Sequence, residues 1–276
     1  VPYRVGNKRR RGMKISDRIK QRICNVKGDI GLYFYDIEKD NGCFVGNCDV
    51  FPSLGISKFI LLIEVFRQVE ENIISFDDEY VFEKKPPFAV PEKEYELTVG
   101  ILDFLHEGIV LTIKDLVYSM MVISDNSAFN ILLSIVGIEN VNNTLEKLGM
   151  SHTKIRCMLF EWDEFGIEKH NYHSAQEVGD LLKRLYKRQL ISNAASDEMM
   201  KLMSFHQRRD ILSYFSNQNM TVMQQTAFDL EILHDIAIIK AEKPFILCMF
   251  TNHIEEKKAE QMMKDVALMC YQATIE

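Results

Sequence analysis

The sequence predicts an α+β fold: one antiparallel sheet built from both chain ends, flanked by the N- and C-terminal helices, with an all-helical lobe inserted between. Three observations predict it. Strand-like runs stand near the start and return after Thr221. The long middle region carries helix caps and helical spacing. The first and last segments are amphipathic at a period suited to covering a sheet. The layout is a basic segment 1–12, a sheet lobe 13–50 plus 205–276, and a helical lobe 51–204.

Ile15, Ile19, Ile23 and Val26 recur at helical spacing, and Gly28 ends that helix. Gly31-Leu32-Tyr33-Phe34-Tyr35-Asp36-Ile37 is aromatic-rich and reads as a strand. Asn41-Gly42 is a hairpin turn signal, with Cys43-Phe44-Val45 as the return strand. Lys58 to Phe66 is apolar nearly all round and predicts a buried helix. Lys84-Lys85-Pro86-Pro87 reads as a loop. Thr112-Ile113-Lys114-Asp115 has capping-box spacing and opens a helix through Leu116, Met120 and Ile123. Apolar helices follow from Phe129 to Val136 and from Val141 to Leu148, closed by Gly137 and Gly149. Ser174-Ala175-Gln176-Glu177 opens another through Val178, Leu181, Leu182 and Leu185. Ile236–Ile239 and Phe245–Phe250 are strands, and Ala259, Met263, Val266 and Cys270 mark the last helix.

A hydrophobic share of 47% supplies a core for the 276 residues, and a net charge of −7 argues against general nucleic-acid binding. The basic run Lys8-Arg9-Arg10-Arg11 reads as a solvated tail, with contact to a membrane surface or polyanion as the alternative. No apolar run reaches the length of a membrane span and no signal peptide is visible. The cysteines are scattered without a C-x-x-C pair, which argues against a zinc site; no cofactor is expected. Cys24, Cys248 and Cys270 fall in apolar patterns and are expected in the core. Cys43 and Cys48 flank the hairpin as a candidate pair.

Three stretches carry the candidate chemistry. Gly55-Ile56-Ser57-Lys58 opens the buried helix with a lysine, which is costly to bury unless it has a partner or a task. Ser124-Asp125-Asn126 sits at a helix junction, and Gln225-Thr226-Ala227 precedes the strand-like run. In order, spacing and surroundings the three resemble the serine β-lactamase and penicillin-binding-protein family, closest to class A β-lactamases. That family reads Ser-x-x-Lys, Ser-Asp-Asn and Lys-Thr-Gly in this order. The resemblance runs from about Ile15 to the C-terminus and implies a two-lobe fold with its site between the lobes. It also implies an extracytoplasmic location.

The resemblance implies roles position by position. Gly55 stands where the nucleophilic serine attacks a β-lactam or peptide carbonyl, and Lys58 keeps the lysine that helps remove its proton. Ser124 matches the serine that shuttles a proton. Asn126 matches the asparagine that binds the substrate amide. Gln225, Thr226 and Ala227 match the motif that receives the substrate carboxylate. Glu161, in the loop Met158 to Gly166, is the candidate for the acid that activates the deacylating water, although the loop lacks the family's Glu-x-x-Leu-Asn pattern.

The departures decide the functional expectation. Gly55 has no atom to carry an acyl group. Ser57 lies about 200° round the helix from Gly55 and has Ile60 where a lysine is needed. Gln225 brings no charge, and Ala227 adds a methyl where close backbone approach is wanted. The expectation is a catalytically inactive family member acting as a binding or structural module for a peptidoglycan-like, cell-wall-derived ligand or a protein partner. The alternatives are an active serine hydrolase of β-lactamase or DD-peptidase type using another nucleophile such as Ser124, an engineered Ser-to-Gly form, and a scaffold domain whose basic N-terminal segment is the functional part. Lys58, with no hydroxyl at position 55, is expected on Asn126, Ser124, a backbone carbonyl or an acid of the Glu161 loop.

Other clusters read as structure. His170-Asn171-Tyr172-His173 lacks a third metal ligand, Met199, Met200 and Met203 read as packing, and His234-Asp235 reads as the approach to the Ile236 strand.

Overall fold

The computed structural model describes residues 13–85, 99–161, 165, 169–208 and 211–276. The Lys8–Arg11 run, Pro86, Pro87 and residues 162–164 lie outside the described residues.

Helix α1 (Ile15–Ile23) leads into strands β1 (Asp29–Asp36) and β2 (Asn41–Gly46). They form a hairpin, but its turn is residues 37–40, with Asp40 at φ 46°, rather than Asn41-Gly42, which open β2 opposite Asp36 and Tyr35. After β3 (Val50–Pro52) and a 3-10 turn (Leu54–Ile56) comes helix α2 (Ser57–Glu70). The helical region holds β4 (Glu79–Val81), β5 (Val110–Thr112), α3 (Ile113–Val122), α4 (Asn126–Val136) and α5 (Ile138–Lys147). It continues with β6 (Tyr172–Ser174), α6 (Ala175–Tyr186) and α7 (Asn193–Ser204). The chain closes with β7 (Thr221–Asp229), β8 (Ile232–Lys240), β9 (Phe245–Asn252) and α8 (Glu256–Ile275).

The main sheet has five strands in the order β2-β1-β9-β8-β7, all pairs antiparallel. The two chain ends meet in its centre, where β1 pairs with β9 from Asp29↔Asn252 to Asp36↔Phe245. Side chains alternate across the strands. Leu32, Phe34, Leu247 and Met249 pack under α1 and α8 with Ile19, Met263 and Val266. Ile236, Ile238, Cys248 and Phe250 face the helices and join Phe59, Leu62, Val178 and Leu181.

The middle region is not wholly helical, as the sequence predicts it to be. It also holds two short ribbons, β3 with β6 and β4 with β5. Each of these strands is three residues long. A run that short carries no readable alternation. Strand β8 also starts earlier than expected, and His234 and Asp235 are fully buried inside it. Asp235 is accommodated there by Leu212 N (3.1 Å) and the Thr226 hydroxyl (3.1 Å).

Two cysteine expectations are corrected. Cys24 is exposed at the end of α1, while Cys248 and Cys270 are buried as expected. Cys43 and Cys48 are both free. They face different cores, Cys43 toward the α1–α8 layer and Cys48 toward the helical lobe.

Helix α2 is buried over nearly its whole length. Its one acid in that stretch, Glu64, accepts from Arg67 Nη2 (2.6 Å), Gln68 Nε2 (2.6 Å) and Thr144 Oγ1 (2.6 Å). Burial pushes its carboxyl up, but these donors outweigh it and hold the pKa below the ordinary value. Gln68 also donates to Val136 O (2.9 Å), so α2 is tied to α4 and α5 by polar bonds as well as packing.

The caps behave differently from one another. Thr112 and Asp115 form the reciprocal capping box expected of them. Ser174 caps α6, but Glu177 turns away. Its carboxylate gathers Ser151 N (2.7 Å), Thr153 N (2.7 Å) and Thr153 Oγ1 (2.6 Å). Burial raises the Glu177 pKa, and these bonds override it and bring it to about 2.

Where β3–β6 meets the main sheet, His173 and His234 are fully buried among Phe51 and Phe250. His234 Nε2 meets Pro52 O at 2.8 Å, while neither ring nitrogen of His173 finds a partner among the described residues. Burial pushes His234 down to about 4, and burial with the neighbouring His234 pushes His173 well below its ordinary value. Both groups are depressed bases, so the unfolded chain binds more protons than the folded one below pH 6.5. Stability is therefore expected to fall between pH 6.5 and 4.5 by about 1.4 kcal/mol per pH unit for each histidine. Denaturant titrations at several pH values check this. The His173→Phe variant should keep roughly half the slope, and an unchanged slope would clear His173 of the effect.

Candidate functional site

The site assembles at the start of α2. Gly55 lies in the 3-10 turn, flanked by Leu54 at φ 43°, a left-handed conformation rare for a side chain of that kind. Gly55 itself has no positive φ, so its backbone does not call for glycine. Its surroundings do press on it. A Cβ there would stand 3.2 Å from Ala227 Cβ and 3.3 Å from Thr226 O on β7. A side chain at 55 requires that strand to give by a few tenths of an ångström.

One helical turn on, Lys58 is only 1% exposed. Its Nζ donates to Asn126 Oδ1 at 2.7 Å and to Ser124 Oγ at 3.0 Å. Burial pushes its pKa down to about 7, and the nearby Asp125 carboxylate opposes that shift. Two of the partners expected for Lys58 are therefore the ones it has.

Ser124 is half-buried, with φ 59° at the junction of α3 and α4. Asp125 holds that junction. One carboxylate oxygen accepts from Ala128 N (2.9 Å) as the α4 cap, and the other accepts from Ile101 N (2.6 Å) and Leu102 N (2.9 Å). From β7, Gln225 reaches Ser124 Oγ with Nε2 at 3.4 Å. Gln225 is fully buried and its Oε1 meets no partner among the described residues.

Gly55, Lys58, Ser124, Asn126, Gln225 and Ala227 are thus brought together. Two expected residues are not. The Thr226 hydroxyl turns to Asp235 Oδ1 on the other face of β7, because neighbouring side chains alternate across a strand. Only its carbonyl approaches Gly55. Glu161 is paired with Lys169 Nζ (2.5 Å) and accepts from Met158 N (3.1 Å). The loop residue clamped to α4 is Leu159, whose N and O both bond the Asn130 side chain (2.8 and 3.1 Å). Sequence reasoning passes over Asn130, and its signal is a polar residue one turn after Asn126 within an apolar helix.

His173 is enclosed by rings, and no metal-holding group of three or more ligands occurs among the described residues. No described helix is long and apolar enough to cross a membrane. A cavity of about 390 Å³ opens elsewhere, between α2, α3 and α7, and none of the motif residues lines it.

Comparisons with known proteins bear on the fold. A β-lactamase from Sphaerobacter thermophilus has a similar structure, with a TM-score of 0.83, 20% identity and coverage of 94% of this chain and 96% of that one. PBP-A gives a TM-score of 0.82 at 20% identity, covering 94% and 95%. The TLA-1 extended-spectrum β-lactamase gives 0.82 at 20%, covering 95% and 98%. At such identities these structures establish the fold. No curated protein matches the chain. The model of the β-lactamase enzyme family matches residues 14–274, nearly the whole chain, and the chain belongs to that family.

Proposed function

We propose that this chain is a catalytically inactive member of the family, a binding module whose interlobe site holds a cell-wall-derived ligand or a protein partner. The observation that carries the reading is Gly55. Acyl transfer needs a nucleophilic atom beside its base, and beside Lys58 the position offers only backbone. Ala227 lies against the space a side chain would take. Lys58 is instead bonded to Ser124 and Asn126, which keeps the pocket braced without chemistry.

The expected result is no acyl adduct by intact-mass measurement after incubation with a fluorescent penicillin, and no turnover of a chromogenic cephalosporin. Soluble peptidoglycan fragments should raise the melting temperature, as any ligand of the folded state does. Robust turnover would end the reading.

One observation favours a second reading, an active hydrolase using Ser124. Its hydroxyl is 3.0 Å from Lys58 Nζ, and a lysine held near pH 7 is a usable base. On that reading an adduct forms in the unaltered chain and disappears in Ser124→Ala.

A further inference from the structure

The cavity of about 390 Å³ lies outside the motif cluster, where α2, α3 and α7 meet. That volume falls within the roughly 300–1,000 Å³ of small-ligand sites. Its floor is apolar, made by the buried Phe66, Val117 and Leu202. Two half-buried rings, Phe76 and Tyr118, stand at its walls, and Phe76 packs edge-on against Phe66 with ring centroids 5.2 Å apart.

The charges on the rim divide into a closed pair and two open ones. Glu198 accepts from Lys201 Nζ with both oxygens (3.0 and 3.1 Å) and from the Tyr118 hydroxyl (3.4 Å). The side chains of Lys114 and Asp77 have no bonded partner among the described residues. Asp115, the acid next to Lys114 in the chain, bonds the Thr112 cap instead. The backbone sets the two open charges side by side. Lys114 N donates to Phe76 O (3.0 Å) and Ile113 N to Asp78 O (2.9 Å), with Asp77 between those bonds. The lysines 114 and 201 balance the acids 77 and 198 around the hollow. Such a rim favours neither an anion nor a cation, and it matches a ligand that carries both charges.

We infer that this cavity takes a small zwitterion with an apolar ring, the chemistry of a free aromatic α-amino acid. The ring lies against Phe76 and Tyr118, the carboxylate meets the Lys114 ammonium, and the α-ammonium meets Asp77. Both charges of such a ligand stand on one carbon, so they must be met from one edge, and residues 77 and 114 supply that edge. Phe76 and Tyr118 offer a third ring the tilted or offset contacts that aromatic groups prefer. The charged contacts stand at the open rim, where water screens them, so each adds modestly to what the ring gains by burial. The cavity shares no residue with the motif cluster, so this site stands apart from whatever the cleft binds.

Three probes with one indole ring separate the contributions. L-tryptophan carries both charges, indole-3-propionate lacks the ammonium, and tryptamine lacks the carboxylate. Calorimetric titration of the full chain should show L-tryptophan binding at least about threefold tighter than either analogue, the effect of one partly exposed charged contact. Lys114→Ala should bring L-tryptophan to the level of tryptamine and leave tryptamine unchanged. Asp77→Ala should bring it to the level of indole-3-propionate and leave indole-3-propionate unchanged. Both side chains are exposed, so both variants should keep the melting temperature of the unaltered chain. An analogue that binds as tightly as L-tryptophan, binding of no probe, or L-tryptophan binding that both variants leave intact would overturn the site without touching the Gly55 reading.

Discussion

Gly55→Ser alone should label slowly at best with fluorescent penicillin, and the triple variant Gly55→Ser, Gln225→Lys, Ala227→Gly should label roughly ten to a hundred times faster. The new hydroxyl lies one helical turn before Lys58, the spacing the family uses. Its Cβ arrives 3.2 Å from Ala227 Cβ, so β7 must shift or the serine must tilt. Ala227→Gly removes that contact. A lysine at 225 supplies the charge for a substrate carboxylate, worth roughly 1.5–3 kcal/mol, or about one to two decades in rate. It also puts a second cation close to Lys58, and like charges disfavour protonation, so Lys58 becomes a readier base. Burying that second charge lowers stability, so the melting temperature is to be followed alongside the labelling rate. Full activity from Gly55→Ser alone would show that neither β7 residue limits the site.

Lys58 should also leave a mark on stability that its removal erases. Its folded pKa of about 7 lies below the ordinary 10.5. Between those values the unfolded chain binds the extra proton, so unfolding becomes harder as pH rises, by about 1.4 kcal/mol per pH unit. Above about pH 9 an opposite effect enters. Burial raises the thiols of Cys248 and Cys270, so the unfolded chain loses those protons first and stability falls. The difference between the unaltered chain and Lys58→Met cancels the thiols, which both share. From pH 7 to 9 that difference should move by roughly 2–3 kcal/mol in favour of the unaltered chain. Parallel stability curves would mean that Lys58 keeps its proton across this range.

The sequence carries these features unevenly. The buried helix with one lysine and the Thr112 capping box are local signals, and each is found where its residues place it. The first hairpin is also present, but its turn falls on residues 37–40, and Asn41-Gly42 begin the return strand. Gly55, Lys58, Ser124 and Asn126 are legible because spacing on a helix and at a junction fixes what meets. The missed elements depend on partners far along the chain. Strands β3 to β6 are too short to show a period, and they exist because each finds another strand. Cys24 follows the apolar stripe of α1 but lies past its last buried turn. Thr226 and Gln225 are neighbours in the motif, yet the pleat sends them to opposite faces. Glu161 is an acid in the right loop, but its carboxylate bonds Lys169 and Met158 N rather than a residue of the cluster.

The pairing of β1 with β9 bears on how the molecule comes to be folded. The first strand waits for a neighbour roughly 200 residues away, and synthesis at 5–20 residues per second delays that neighbour by on the order of ten seconds or more. Until then a β1–β2 hairpin would have one long edge open, a template for pairing with another chain. A sheet closed by its most distant segments has high contact order and folds slowly. A ribosome-bound chain stopped before Phe245 should therefore expose that edge, and chaperone dependence should fall once β9 has emerged.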